Sequence, residues 1–80
     1  MEPTEVEARF SAEGEVSVLS FTWLGRRYPV TSQGRQWRAE DGWHFLVMTT
    51  GERMFELVYA GQPERGAWQI VKTPGRERMA

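Results

Sequence analysis

The eight glycines of this 80-residue chain stand at positions 14, 25, 34, 42, 51, 61, 66 and 75, and most gaps between them run eight to eleven residues. The stretches they bound are rich in Val, Phe, Trp, Tyr and Thr. Branched and aromatic side chains suit a pleated strand, and glycine supplies the positive φ that tight turns need. Short strands punctuated at this interval predict an antiparallel meander. The expected fold class is all-β: five to six antiparallel strands closing as a small barrel or a strongly curled sheet.

A chain of this length is expected to form a single domain over residues 1–80, with an ordered β core from about 5 to 72 and a frayed tail over 73–80. Cysteine is absent, which rules out a disulfide staple, a thiolate nucleophile and a thiolate zinc site. The core must come from bulky side chains, and four Trp, four Phe and two Tyr supply it. The acidic start Met1-Glu2-Pro3-Thr4-Glu5 has no signal-peptide character, and no apolar run approaches a membrane span. A cytoplasmic protein with no membrane association is the expectation.

The hydrophobic pattern locates the strands. Glu5 to Phe10 alternates weakly, as an edge strand whose acids discourage aggregation. Val16 to Leu24 is the strongest, with Leu19, Phe21 and Trp23 on one face and Val18, Ser20 and Thr22 on the other. Leu24-Gly25-Arg26-Arg27 reads as a two-residue hairpin with Gly25 first in a type II′ turn, setting Trp23 opposite Tyr28 and Phe21 opposite Val30. Pro29 has no N–H to donate and belongs beside an edge or a bulge. Thr31 to Gly42 is mostly polar around Trp37, which predicts a loop or single helical turn pinned by that ring. Trp43–Met48, Arg53–Ala60 and Ala67–Lys72 resume as strands, with Gly61 to Gly66 a short loop.

Chemistry-bearing residues are few. The one histidine, His44, has no Ser or Cys nucleophile in a shared motif, and Glu40 and Asp41 read as turn solvation. A single imidazole does not make a metal centre, and the scattered glycines form no phosphate loop. The expectation is a non-enzymatic protein without catalytic residues, metal or cofactor.

Charge gives a weaker lead. The net charge is −1, yet five glutamates crowd the first fifteen residues, and Arg26, Arg27, Arg35 and Arg38 fall in a window from Val16 to Ala39 that has no acid. Arginine pairs bidentately with phosphate and carboxylate. Arg26 and Arg27 with Tyr28, and Arg35 and Arg38 with Trp37, are the candidate contact residues. They fit either a docking surface for a partner protein or, as the alternative, a weak single-stranded nucleic-acid binder that stacks bases on aromatics.

The order Phe21-x-Trp23-x-Gly25-Arg26-Arg27-Tyr28-x-Val30, then Trp37, Asp41-Gly42-Trp43, Phe55-x-Leu57 and Trp68-x-Ile70, resembles the uncharacterised small all-β bacterial family DUF6504. Trp43 to Val71 is also similar to the C-terminal tail domain of catalytically inactive Y-family polymerase homologues. The resemblance covers about residues 16–72 and implies an interaction or accessory module linked to DNA metabolism, with no catalytic residue to carry over. The chain departs from the pattern at His44 and Phe45-Leu46, where members carry aromatics.

Overall fold

The computed structural model describes residues 2–61 and 67–71. The sequence-expected tail at 73–80 and most of the Gly61–Gly66 loop lie outside the described residues. The strands are β1 (Glu2–Pro3), β2 (Val6–Phe10), β3 (Val16–Trp23), β4 (Arg26–Ala39), β5 (Gly42–Thr49), β6 (Arg53–Tyr59) and β7 (Trp68–Val71). They are antiparallel, in the spatial order β1-β7-β6-β5-β4-β3-β2, so β2 to β7 form the expected meander. Among the described residues there is no helix, and none therefore is long and apolar enough to cross a membrane.

The sheet curls into a half-barrel because the N-terminal stretch serves both of its edges. Glu2–Pro3 pairs with β7, and Val6–Phe10 pairs with β3. At the crossing, the Thr4 N–H donates to the Trp68 carbonyl at 3.0 Å and the Thr22 N–H donates to the Glu5 carbonyl at 2.9 Å. The Thr4 hydroxyl also donates to the Thr22 carbonyl. Joining edges this way removes open ladder groups that would otherwise invite aggregation.

The concave side holds the core: Val18, Phe21, Phe45, Val47, Phe55, Leu57, Trp68 and Ile70. Phe45, Phe55 and Leu57 are wholly inaccessible to solvent. Burial of each such side chain stabilises the fold by about 1.5–3 kcal/mol.

Three features differ from the sequence expectation, each for an identifiable reason. Val18 and Phe21 both enter the core, so the alternation along β3 breaks between them. The β2–β3 register passes from Glu7↔Ser20 to Ala8↔Val18, leaving Leu19 as an extra, bulged residue that faces solvent. A bulge of this kind shifts the inward face by one residue and sharpens the local twist.

The β3–β4 hairpin turns one residue earlier than a Gly25-first turn requires. Leu24 (φ 54°) and Gly25 (φ 75°) are its central residues, as in a type I′ turn. Trp23 therefore pairs with Arg26 and Phe21 with Tyr28. Tyr28 then lies stacked on Phe21, with ring centroids 5.7 Å apart.

The third difference is β4 itself. The stretch around Trp37 is neither a loop nor a helical turn but part of a 14-residue strand. Its polar pattern hides a change of partner: Arg26–Pro29 pairs with β3, and Val30–Ala39 pairs with β5 across two register shifts. Alternation from the turn places Ser20↔Pro29 at a non-hydrogen-bonded position, so the Pro29 nitrogen faces away from β3. β4 is an interior strand, but Pro29 adjoins the register shift between Val30 and Ser32, so of the expected edge or bulge the bulge is observed. Beyond it β3 and β4 diverge, and the Gln33 amide fills the gap as a surrogate strand. It accepts from the Val18 N–H at 2.8 Å and donates to the Val16 carbonyl at 2.9 Å.

Candidate functional site

The six sequence-selected residues do not gather in one place. Arg26, Arg27 and Tyr28 open β4, and Arg35, Trp37 and Arg38 lie near its other end. Nine residues of strand at roughly 3.3 Å each set Arg26 and Arg35 roughly 25–30 Å apart. Arg35 and Arg38 are separated again by the sheet itself. Trp37 pairs with His44 on the face turned away from the core, and Arg38 pairs with Trp43 on the other.

The far end of β4 contains an ion cluster. Strand alternation puts His44, Glu56 and Val58 on the convex face, and Asp41 reaches the same ring from the β4–β5 turn. His44 Nε2 donates to Asp41 Oδ1 at 2.7 Å, and Nδ1 donates to Glu56 Oε2 at 2.6 Å. Trp37 stacks on the imidazole with centroids 5.1 Å apart, and the Arg35 guanidinium lies over Trp37 at 5.1 Å. Arg38 similarly sits over Trp43, at 6.0 Å.

Burial of the His44 ring works against its charged form, but the hydrogen bonds to Asp41 and Glu56 and their negative charge outweigh it and raise the pKa. The hydrogen bond from His44 holds the Asp41 carboxyl below its ordinary value despite the opposing effect of burial. Donation to a carboxyl oxygen from both ring nitrogens requires an N–H on each, so the imidazolium is the form that fits. Both nitrogens are thereby committed to carboxylates. Sequence reasoning considered His44 and Asp41 separately and missed Glu56, whose link to His44 arises only from the β5–β6 register.

The near end is organised around rings rather than ion pairs. Trp23, Tyr28 and Phe55 lie within 5.2–5.9 Å of one another, and the Arg53 guanidinium covers them at 5.4–6.0 Å. Arg53 escaped sequence reasoning because it follows a turn and carries no aromatic neighbour except Phe55 two residues on. Arg27 points to the other face, where it donates to Glu7 Oε1 at 2.7 Å and to the Ser20 hydroxyl at 3.2 Å. Leu24 caps the hairpin and is 76% exposed.

The geometry supports contact chemistry at the near end and charge neutralisation at the far end. Comparison of the chain with protein-family models, with curated proteins and with solved structures finds no match.

Proposed function

We propose that this chain is a non-enzymatic interaction module that docks a partner protein through the tip of the β3–β4 hairpin. One observation carries the reading: Leu24, 76% exposed, is held at a φ of 54°. A branched apolar residue is unfavourable in the left-handed region by about 1–2 kcal/mol, and exposure returns none of that. Asn-Gly would form the same turn without strain. Strain kept at an exposed apolar tip is accounted for if the side chain is buried in a complex. Trp23 and Arg26 pair at the base of the turn on either side of it, and Trp and Arg are enriched in binding hot spots.

Support for a non-catalytic role comes from His44, whose ring nitrogens are both occupied by carboxylates. The separation of the four window arginines weighs against a continuous track for a nucleic-acid strand. The resemblance to DUF6504 and to the polymerase-homologue tail supports a bacterial, cytoplasmic accessory role, with a partner drawn from DNA metabolism.

Site-specific photo-crosslinking in cells tests this. A photoreactive residue at Leu24 should yield one discrete protein adduct, and the same residue at Leu19, exposed on the β3 bulge, should not. Identical adduct patterns from both positions, or none from Leu24, would remove the hairpin tip as the docking surface.

A further inference from the structure

A cleft of about 330 Å³ opens between the start of β4 and the β5–β6 turn, lined by Arg26, Arg27, Tyr28, Thr50 and Arg53 among others. Among the described residues no aspartate or glutamate lines it. Arg27 is neutralised by Glu7, but neither Arg26 nor Arg53 forms an ion pair among the described residues. Two guanidinium charges therefore share one concave surface with no counter-charge of their own.

Arg53 is also held in place. Contact with the faces of Trp23, Tyr28 and Phe55 restricts its plane before any ligand arrives. Restricting a long side chain in advance lowers the entropic cost of binding. Thr50 and Tyr28, both hydroxyl-bearing, also line the cleft.

Two other depressions among the described residues lack this imbalance. One of about 510 Å³ is lined by Glu5 and Glu7 together with Arg27, so its charge is already compensated. One of about 550 Å³, where β3 and β4 diverge, is lined by Glu15 and no arginine. A carboxylate is satisfied by one guanidinium fork and would leave the second cation uncompensated. A phosphate monoester carries close to two negative charges and three terminal oxygens, enough for both arginines and a hydroxyl.

We propose that the Arg26–Arg53 cleft is a binding site for a phosphoryl group, carried either by a small phosphorylated ligand or by a phosphorylated side chain. The cleft shares Arg26 with the hairpin but not Leu24, so crosslinking from Leu24 and the phosphate titration can fail separately.

The test is an NMR titration of the full chain, following arginine Nε–H resonances at constant ionic strength. Inorganic phosphate should shift Arg26 and Arg53 saturably and leave Arg35 and Arg38 in place, while acetate should give no saturable shift. Arg53→Lys keeps the charge but loses the planar fork, and should weaken phosphate binding about tenfold, the loss of one charge-assisted hydrogen bond. Arg26→Lys, at the hairpin and outside the ring cluster, should do the same if the Arg53 variant fails to fold. Arg35→Lys should change nothing. Adenosine 5′-monophosphate binding more tightly than O-phosphoserine would support a small-ligand source, and the reverse order a modified side chain. Linear shifts of all the arginines together, acetate binding equal to phosphate, or unchanged affinity in both lysine variants would each overturn the proposal.

Discussion

The two ends of β4 use arginine and tryptophan in opposite ways. At the Ala39 end, Arg35 covers Trp37, and beneath that ring an imidazolium lies between Asp41 and Glu56. At the Arg26 end, Arg53 covers Trp23, but neither Arg26 nor Arg53 forms an ion pair among the described residues and an exposed leucine sits in a strained turn. The first arrangement neutralises its histidine internally, although Arg35 and Arg38 form no ion pair among the described residues. The second leaves two guanidinium groups without an ion pair among the described residues, beside an exposed leucine. Cation–aromatic stacking is common to both, so stacking alone does not mark a binding site. What sets the Arg26 end apart is that two arginines without an ion pair line one cleft, whereas Arg35 and Arg38 lie on opposite faces of the sheet.

The two hairpin glycines give the largest expected contrast. A Cβ on Gly42, whose φ is 133°, would run into the Tyr59 carbonyl oxygen and the adjoining backbone of β6. Overpacking against backbone together with an unfavourable φ should cost about 3 kcal/mol for Gly42→Ala. A denaturant midpoint within error of wild type would show that the far end tolerates movement and is not the rigid one.

Next in size is His44→Gln, which should destabilise by about 1–2 kcal/mol, since the carboxylates lose their cation but remain partly hydrated. The pH dependence is the sharper reading. His44 is raised from its ordinary 6.5, so its contribution is fully present below about that pH and disappears as pH rises through the higher folded value. Asp41 is lowered from 3.8, so its contribution holds above that pH and is lost as pH falls through the depressed value. The gap in melting temperature between wild type and variant should be widest between these limits and narrow on either side. A gap constant from pH 4 to 9 would mean that the imidazolium is not what the carboxylates hold.

Gly25→Ala should cost less, about 1 kcal/mol, because the new Cβ meets no atom and only the positive φ opposes it. A loss equal to that of Gly42→Ala would erase the distinction between the two turns.

The smallest effect has the opposite sign. Leu24→Asn should stabilise the fold by about 0.5–1 kcal/mol, because asparagine tolerates the left-handed region that leucine resists. Thermal melts that show destabilisation would mean that Leu24 contributes packing to the isolated chain, and the argument for a docking tip would lose its basis.

What could be read from the residues alone followed from local chemistry. Glycine spacing and β-rich segments specified an all-β meander, because turn conformation and strand alternation are short-range properties. The inward faces of β6 and β7 were legible for the same reason: Phe55, Leu57 and Trp68, Ile70 alternate without interruption. Legibility failed wherever a strand changed phase or partner. Simple alternation puts Leu19 on one face with Phe21, but a bulge turns it outward, and the polar run around Trp37 looks irregular because β4 leaves β3 for β5 along its length. The candidate residues show the same division. Arg26, Arg27, Tyr28, Arg35, Trp37 and Arg38 could be chosen by type, but their separation into two ends and two faces could not. Arg53 joined Arg26, and Glu56 joined His44, only through pairing across β5 and β6, because register is settled by burying one sheet face over many residues at once.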